Sequence, residues 1–457
     1  MLTDIDQALY PTVVGDVTLR FEGQDRSTCY ERQNKILLTG NEDFGRVVEL
    51  CDGTATIAKI LDLLMDSYDS AAFLHGILHE IINELQEEGL VELHNSAQKK
   101  NISVQHCDFI YPLDTVYLEP TRLCNQMCIH CYACSPSHSV QTQKTAELSD
   151  LELSSLFDEL RSIGVLNVCF TGGEPFFRKG FLKILRECHL HGFDIGLFTN
   201  GTLLNDEIID AMEFIDPKFI ALSLDSIDPC IYEKIRGKRS LDIVLRNLQK
   251  ILNKNIQARI NCILFNGLND SLRGLVEYLS FLKNMNVKPS SITFDQFSPE
   301  GEGAAKDYLS PNPKALIGRE KEAFEVVYGW QVPTSSFSPE GATEPGDYCG
   351  LGTSMINIKS DGSISLCPAL AEPEHVIGNV RDGIGNIWKN SGILDYFRTN
   401  SHIGNSTCKQ CPSLKECRGG CKAKSLTFNS DLNSPDPWMC AYFNAGQATL
   451  DDYGSNM

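Results

Sequence analysis

The stretch TRLCNQMCIHCYACS, residues 121–135, packs Cys124, Cys128, Cys131 and Cys134 into eleven positions. How those thiols are used decides the fold around them. The N-terminus, MLTDIDQALY, has neither the charged n-region nor the apolar h-region of a signal peptide. No run approaches the roughly 18 apolar residues of a membrane span. The expectation is a soluble chain in a reducing cytoplasm, where cysteines serve metal or redox chemistry rather than a disulfide framework. The spacing Cys124-x3-Cys128-x2-Cys131 puts three thiolates in one tight loop, and thiolates are the usual protein ligands of iron–sulfur clusters. Three ligands on a four-iron cube leave one iron open to a chelating substrate. Zinc is the competing reading: it takes four tetrahedral ligands and would recruit Cys134 or His130.

Outward from this loop, residues 111–300 alternate strand-like and helix-like segments. DTVYLEP (114–120), VLNVCFTGG (165–173), DIGLFTNG (194–201), KFIALSLD (218–225), ARINCILF (258–265) and SSITFDQF (290–297) read as strands, separated by amphipathic helices such as LSDLELSSLFDELRSIG. That alternation predicts an α/β fold with a parallel sheet and crossover helices. Six units predict a partial (β/α)6 TIM-like barrel over 111–320, working at the carboxyl ends of its strands. The cysteine loop comes directly after the first of those strands. Residues 321–345 are read as a bridge and 346–457 as a cysteine-rich auxiliary domain.

Residues 1–95 read as a winged-helix-like α+β module, and 96–110 as a polar linker. DVTLRFEG (16–23) and ERQNKILLTG (31–40) supply strands; helices are expected near 41–51, 55–66 and 71–86, and LVEL (90–93) returns as a strand. DNA binding is the common role of such a shape. The module carries six basic residues against eighteen acidic ones, and the whole chain has a net charge of −20. Such a surface repels phosphates, so no nucleic-acid partner is expected. An open sheet edge that captures an extended peptide is the alternative. The stretch LTGNEDFGRVVELCDGTATIAKILDLL resembles the leader-peptide recognition element of peptide-natural-product pathways. That resemblance implies a precursor peptide whose leader pairs with the edge strand and packs on the third helix.

The Cys124 loop and the segments C-terminal to it resemble the radical S-adenosylmethionine superfamily. TGGEP (171–175), TNGT (199–202), SLDSIDPCIYEKIRG (223–237) and NCILFNGLND (261–270) come in that family's order. The resemblance implies a [4Fe–4S] cluster on Cys124, Cys128 and Cys131 whose open iron chelates S-adenosylmethionine. Gly172, Gly173 and Glu174 are then expected near the methionine amino group, and Ser223 and Arg236 on the cofactor's polar groups, with Arg236 suited to the carboxylate. Residues 261–270 would frame the adenine, and Cys134 is a spectator. Reductive cleavage of the cofactor would release a 5′-deoxyadenosyl radical, fed by a donor such as flavodoxin or ferredoxin.

The C-terminal part holds seven more cysteines in a spaced pattern: Cys349, Cys367, Cys408, Cys411, Cys417, Cys421 and Cys440. A zinc ribbon is the plain alternative. The pattern resembles the SPASM extension of peptide-modifying radical enzymes. The resemblance implies two auxiliary [4Fe–4S] clusters, making three in all: an outer one on Cys408, Cys411, Cys417 and Cys440, and an inner one on Cys349, Cys367 and Cys421 with an open iron. The remaining eight cysteines are read mostly as small buried hydrophobes. The layout resembles thioether-forming (sactipeptide or ranthipeptide) maturases. Carbon–carbon cross-linking, epimerisation, tyrosine decarboxylation, a porphyrin or quinone-cofactor maturase, and a non-catalytic electron carrier are the alternatives. Asp295 and Glu300, near the end of the sixth strand, are candidate cavity carboxylates, although solvated loop positions are the plainer reading.

Overall fold

The computed structural model describes residues 6–22, 25–34, 36–68, 70–107, 109–132, 147–329, 350–399, 406–417 and 419–443. The chain forms two compact units, Met1–Pro112 and Leu113–Met457.

In the first unit, β1 (Tyr10–Val13), β2 (Val17–Glu22), β3 (Arg26–Glu31) and β4 (Ile36–Gly40) precede α1 (Glu42–Leu50), α2 (Ile57–Leu64) and α3 (Ala71–Glu87); β5 (Val91–His94) and β6 (Ile102–Cys107) come last. Each helix starts on a side-chain cap: Asn41 accepts from the Phe44 N–H, Thr56 from Lys59 and Ser70 from Phe73. Such caps satisfy donors that a helix start leaves open. The four-stranded sheet has the order β4-β3-β2-β6, and β1 pairs with β5. Leu19, Val47, Ile57, Ile60, Leu78 and Ile82 fill the core between sheet and helices.

Two sequence expectations change here. ERQNKILLTG is not one strand: β3 pairs antiparallel with β2, and β4 folds back on β3. Asp25, just before β3, sits at φ 60°, a left-handed conformation that Asp adopts more readily than most residues. The supposed linker 96–110 contains β6, which runs parallel to β2 from Val17 opposite Ile102 to Glu22 opposite Cys107. Ile102 and Val104 pack on the same core, so their short alternation outweighs the polar composition around them.

In the second unit, β7 (Thr115–Leu118), β8 (Asn167–Phe170), β9 (Asp194–Thr199), β10 (Phe219–Ser223), β11 (Ala258–Leu264) and β12 (Ile292–Gln296) run parallel in sequential order. Helices α4 (Asp150–Ser162), α5 (Phe181–Leu190), α6 (Asp206–Ile215), α7 (Pro229–Arg236), α8 (Leu241–Asn253) and α9 (Leu272–Asn284) lie between the strands. This is the partial TIM-like α/β barrel that the sequence predicts. The segment 321–345, expected as a bridge, begins inside α10 (Pro313–Tyr328), which packs along α9. The remainder of that segment, from 330, lies outside the described residues.

The lobe then returns to the barrel. Here β13 (Met355–Ile358) pairs parallel with β7, and β14 (Ser363–Ser365) and β15 (Val376–Asn379) continue antiparallel, giving one nine-stranded sheet. Short helices α11 (Ile384–Asn390), α12 (Gly392–Thr399), α13 (Ser406–Lys409), α14 (Leu414–Cys417), α15 (Lys422–Asn429) and α16 (Pro437–Tyr442) complete it.

Strand alternation sorts the barrel's side chains. Phe170 stacks edge-on against Phe181 of α5, and Phe294 contacts Tyr278 of α9 and Phe324 of α10. Those positions therefore face the helices. Their neighbours face the concave side: Tyr117, Cys169, Phe198, Phe219 and Ala221 form an apolar floor, while Ser223, Asn261, Thr293 and Asp295 lie nearer the carboxyl rim.

If β6 belongs to the first unit, a fragment ending at residue 112 should melt cooperatively, and one ending at residue 95 at a markedly lower temperature. Equal midpoints by circular dichroism would show that β6 contributes nothing.

Candidate metal centre

The cysteine loop has no helix or strand of its own among the described residues, so its shape is imposed by neighbours at the carboxyl rim. The Gly173 and Glu174 N–H groups donate to the Thr121 and Leu123 carbonyls (both 2.9 Å). The Met127 and Ile129 N–H groups donate to the Arg236 and Ile235 carbonyls (3.1 and 3.0 Å), so the chain is tied down on both sides of Cys128. After β12, the Glu302 N–H donates to the Cys131 carbonyl (3.0 Å), and Lys306 donates to the carbonyl of Ile129 (3.2 Å). The glycines are needed for this close approach. A Cβ on Gly173 would sit 2.2 Å from the Leu123 carbonyl oxygen, and one on Gly172, at φ 102°, 2.7 Å from that of Thr121. Gly237, which ends α7 at φ 74°, meets Met127 in the same way.

The three sulfurs lie within one another's electrostatic reach. Burial pushes the Cys128 thiol up to about 12, against the pull of Arg236, and raises that of Cys124 as well. Donors outnumber acceptors around the sulfurs; Gln126 Oε1, 3.8 Å from Cys128 Sγ, is an acceptor. Cys124 Sγ receives the Gln126 N–H (3.4 Å) and Asn200 Nδ2 (3.8 Å), and Cys128 Sγ receives Arg236 Nη1 (3.7 Å). Donors and a cation around soft sulfur suit thiolates that carry negative charge, as they do when they ligate iron. The loop therefore fits an iron–sulfur cluster. His130 packs edge-on against Phe265 at 5.3 Å, in an apolar pocket whose burial depresses its pKa to about 4. Cys134 lies outside the described residues.

The expected cofactor contacts fall in more varied places. Glu174 is fully buried. Its carboxylate accepts from Thr199 Oγ1 (2.7 Å), the Asn200 N–H (2.7 Å) and the Phe176 N–H (3.3 Å). It welds the glycine turn to the end of β9, leaving only the turn's backbone to meet a ligand. Ser223 ends β10, half-buried on the concave side. Arg236 is buried, with Nε 2.5 Å from Asp225 Oδ2. In 261–270, Asn269 Nδ2 donates to the carbonyls of Asp225 (2.7 Å) and Ile263 (2.8 Å), so this loop braces the Arg236 partner. Sequence reasoning missed Thr199, Asn200 and Asp225, as well as Asn125, whose Oδ1 accepts from Asn200 Nδ2 (2.9 Å), and Gly301, where a Cβ would lie 2.4 Å from the Cys131 carbonyl oxygen. The TNGT motif marks the position of Thr199 and Asn200 without marking their role.

In the lobe, Cys417 and Cys440 each feel the charge of Cys408 and Cys411, and Cys440 that of Cys417. These four thiols, the expected outer set, are neighbours. Burial raises Cys417 to about 11 and Cys440 to about 12. Of the expected inner set, Cys367 lies just past β14, within electrostatic reach of Tyr132. Cys421 precedes α15, its N–H on Asp436 Oδ2 (2.8 Å), and Cys349 lies outside the described residues. Of the eight other cysteines, Cys29, Cys51, Cys107, Cys169, Cys188 and Cys262 are buried as expected, while Cys230 is exposed. Among the described residues no set of three His, Cys, Asp or Glu is spaced to hold a single metal ion, and no helix is long and apolar enough to cross a membrane.

Asp295 and Glu300 are not free loop carboxylates. Lys424 of α15 donates to Asp295 Oδ1 and Gln296 Oε1 (both 2.8 Å). Glu300 accepts from Ser298 (3.0 Å) and from Thr427. Both pin the lobe to the barrel rim.

Comparison with known proteins agrees with this geometry. Residues 118–279 match the radical SAM superfamily, and residues 349–412 match the SPASM iron–sulfur cluster-binding domain. The chain belongs to the radical S-adenosylmethionine superfamily and carries a SPASM domain. It is similar to mycofactocin maturase MftC of Mycolicibacterium smegmatis, 27% identical over 330 residues that cover 70% of this chain and 80% of the relative. It is also similar to the antilisterial bacteriocin subtilosin biosynthesis protein AlbA of Bacillus subtilis, 25% identical over 402 residues, covering 83% of this chain and 84% of that one. Among solved structures, Streptococcus suis SuiB bound to S-adenosylmethionine shares the fold, with a TM-score of 0.65 at 15% identity over 94% of this chain and 99% of SuiB. SuiB bound to its precursor peptide SuiA superposes with a TM-score of 0.64 at 14% identity, over the same shares of the two chains.

Two substitutions probe the rim. Gly173→Ala forces a methyl into the Leu123 carbonyl, costing at least the roughly 1–3 kcal/mol of overpacking. It should lower the iron content of reconstituted protein while helicity is retained; unchanged iron would contradict the packing argument. Glu174 is pushed up from 4.5 to about 7 by burial, against the bonds it accepts. The folded state thus holds a proton that the unfolded chain releases, and the stability this confers is full below pH 4.5 and is lost as pH rises through about 7. Glu174→Gln should flatten the fall in denaturation midpoint across that window. A slope identical to the unsubstituted chain's would refute the burial effect.

Proposed function

We propose that this chain is a maturase of a ribosomally made precursor peptide, joining a cysteine sulfur of the core peptide to one of its carbons. The observation that carries this is the thiol loop at the rim of a concave face that the SPASM lobe helps to close, through β13 on β7 and Lys424 on Asp295. The names of the relatives, a maturase and a bacteriocin biosynthesis protein, support a peptide product. The precursor-bound SuiB structure supports a peptide substrate. In the first unit, β4 has β3 on one side and no strand on the other among the described residues. Leu37 on β4 and Phe73 on α3 are exposed apolar side chains, and together these features suit a leader segment that adds as a strand.

A [4Fe–4S] cluster with S-adenosylmethionine supplies, when bound, the one-electron cleavage that makes an adenosyl radical. Cys124, Cys128 and Cys131 would hold it. Because partial burial raises the Cys124 and Cys128 thiols, iron loading releases protons and weakens as pH falls. Gly172, Gly173 and Ser223 offer backbone and hydroxyl groups at the rim for the nucleotide. Cys408, Cys411, Cys417 and Cys440 would hold one auxiliary cluster, and Cys349, Cys367 and Cys421 a second.

Thioether formation removes two hydrogens: one from carbon as an atom, taken by the adenosyl radical, and one from the thiol as a proton, while an auxiliary cluster held by the lobe cysteines would accept the remaining electron. Asp295 is the concave-face carboxylate placed to take that proton. Burial works to raise its pKa, and Lys424 overrides this and holds it below the usual range, so it stays ionised and relays the proton onward rather than retaining it. Anaerobic co-expression with the precursor, read by mass spectrometry, should show a product lighter by two hydrogens per bond. Asp295→Asn should slow its appearance roughly 10²-fold or more. A product of unchanged mass would exclude cross-linking, and full activity in Asp295→Asn would remove that residue from the reaction.

A further inference from the structure

The chain is strongly acidic, with 60 acidic against 40 basic residues, yet one stretch beside the cysteine loop runs the other way. Residues 229–240, PCIYEKIRGKRS, carry Lys234, Arg236, Lys238 and Arg239 against Glu233 alone, with Asp228 and Asp242 flanking them. Arg236 is buried, and the other three cations are exposed. Arg239 Nε meets Glu233 Oε2 at 2.8 Å, while Lys234 and Lys238 have no acidic partner among the described residues. The same stretch is the wall against which the loop is built. The Met127 and Ile129 N–H groups donate to the Arg236 and Ile235 carbonyls. Buried Gln126 donates through Nε2 to Tyr232 Oη and Ser240 Oγ (both 3.2 Å). A Cβ on Gly237 would lie 2.9 Å from that of Met127, so Lys238 follows directly on a residue packed against the loop. Met127 adjoins Cys128 in the chain and is itself 51% exposed. An apolar side chain open to solvent therefore sits among free cations, directly beside the segment that carries the thiols.

We propose that Lys234, Lys238 and Arg239, with Met127 beside them, form the docking surface for an acidic one-electron carrier protein that reduces the cluster held by Cys124, Cys128 and Cys131. The inference rests on those three cysteines being the ligands. Opposite charge steers a protein partner toward a patch and sets its orientation more than it adds affinity. A chain of net charge −20 repels an acidic carrier over most of its surface, so a local basic patch selects the point of approach. Methionine suits the centre of such a contact, being apolar and able to adapt its shape. The step balances: an anionic flavin hydroquinone gives one electron to the oxidised cluster and becomes the neutral semiquinone, and no proton crosses.

The probe is a bacterial flavodoxin hydroquinone, mixed anaerobically with the reconstituted full chain at low and high salt. Reduction is followed by stopped flow, and electron paramagnetic resonance with lobe-cysteine variants identifies the loop signal. Binding of oxidised flavodoxin is titrated alongside. The double variant Lys234→Glu, Lys238→Glu is expected to slow reduction roughly tenfold or more at low salt, to flatten its salt dependence and to weaken binding. Its iron and sulfide content should hold, and reduction by the methyl viologen radical, a small cation, should not slow. The double variant Lys179→Glu, Lys183→Glu changes the total charge equally at exposed sites around the start of α5 and should behave as the unsubstituted chain does. Equal slowing by both double variants, or none by the first, overturns the proposal. So does a cluster that methyl viologen reduces and flavodoxin does not. A salt-dependent dimer of the chain that the Lys234 and Lys238 changes abolish would give the patch to a second copy and overturn it too. Should the first double variant load less iron, Arg239→Glu carries the same comparison. Absence of any reducible cluster at the loop in the unsubstituted chain would instead defeat the ligand reading on which the proposal rests.

Discussion

The three-thiol loop has to keep a fixed shape without a hydrogen-bonding pattern of its own, and everything at the rim serves that constraint. A strand or helix satisfies its own backbone. This loop borrows partners from the glycine turn after β8, the end of α7 and the turn after β12. Each is a strand-end loop of the barrel, so the parallel sheet is what lets residues from 119 to 306 converge on one short segment. The glycines at 172, 173 and 237 let backbone meet backbone at distances no side chain would allow. Brought close in this way, the sulfurs stand ready for a shared ligand.

A second layer of the site is electrostatic. Buried charges are costly unless paired and hydrogen-bonded, and the rim contains several. Asp225 and Arg236 neutralise each other beside Cys128. Buried Glu174 is closed in by three donors, and Asp295, more exposed, is met by Lys424 from the lobe. None of these pairs is an isolated surface bridge. Each ties an element of the barrel to another element that carries or braces a cysteine. The lobe is fastened by the same kind of contact and by β13, which extends the barrel sheet past β7.

Much of this was legible in the order of the residues. Periodicity located the six parallel strands to within a few positions, because each central strand is a short apolar run that only a doubly covered sheet can bury. Cysteine spacing located the loop, and the resemblance to the SPASM extension grouped the outer lobe set, whose members the fold does make neighbours. Other features had no local signature. Residues 102–107 look like polar linker until β2 is beside them. The α10 helix lies where Pro and Gly nearby suggested a bridge. The start of β3 was hidden because the residue before it, Asp25, takes a left-handed conformation that nothing local announces.

Sequence by itself determined the chemistry available here: soft thiol donors at cluster spacing, glycines where backbones must touch, a strongly acidic N-terminal module, and an alternation that folds as a parallel sheet. The tertiary structure decided which groups those donors face. That Glu174 is sealed inside, that Arg236 answers to Asp225 and Cys128, and that Asp295 meets Lys424 are facts of residues 11 to 129 positions apart in the chain. Spacing fixes what lies within a turn or two along the backbone, and only packing fixes which distant charge is driven, by the cost of being buried alone, into contact with which partner.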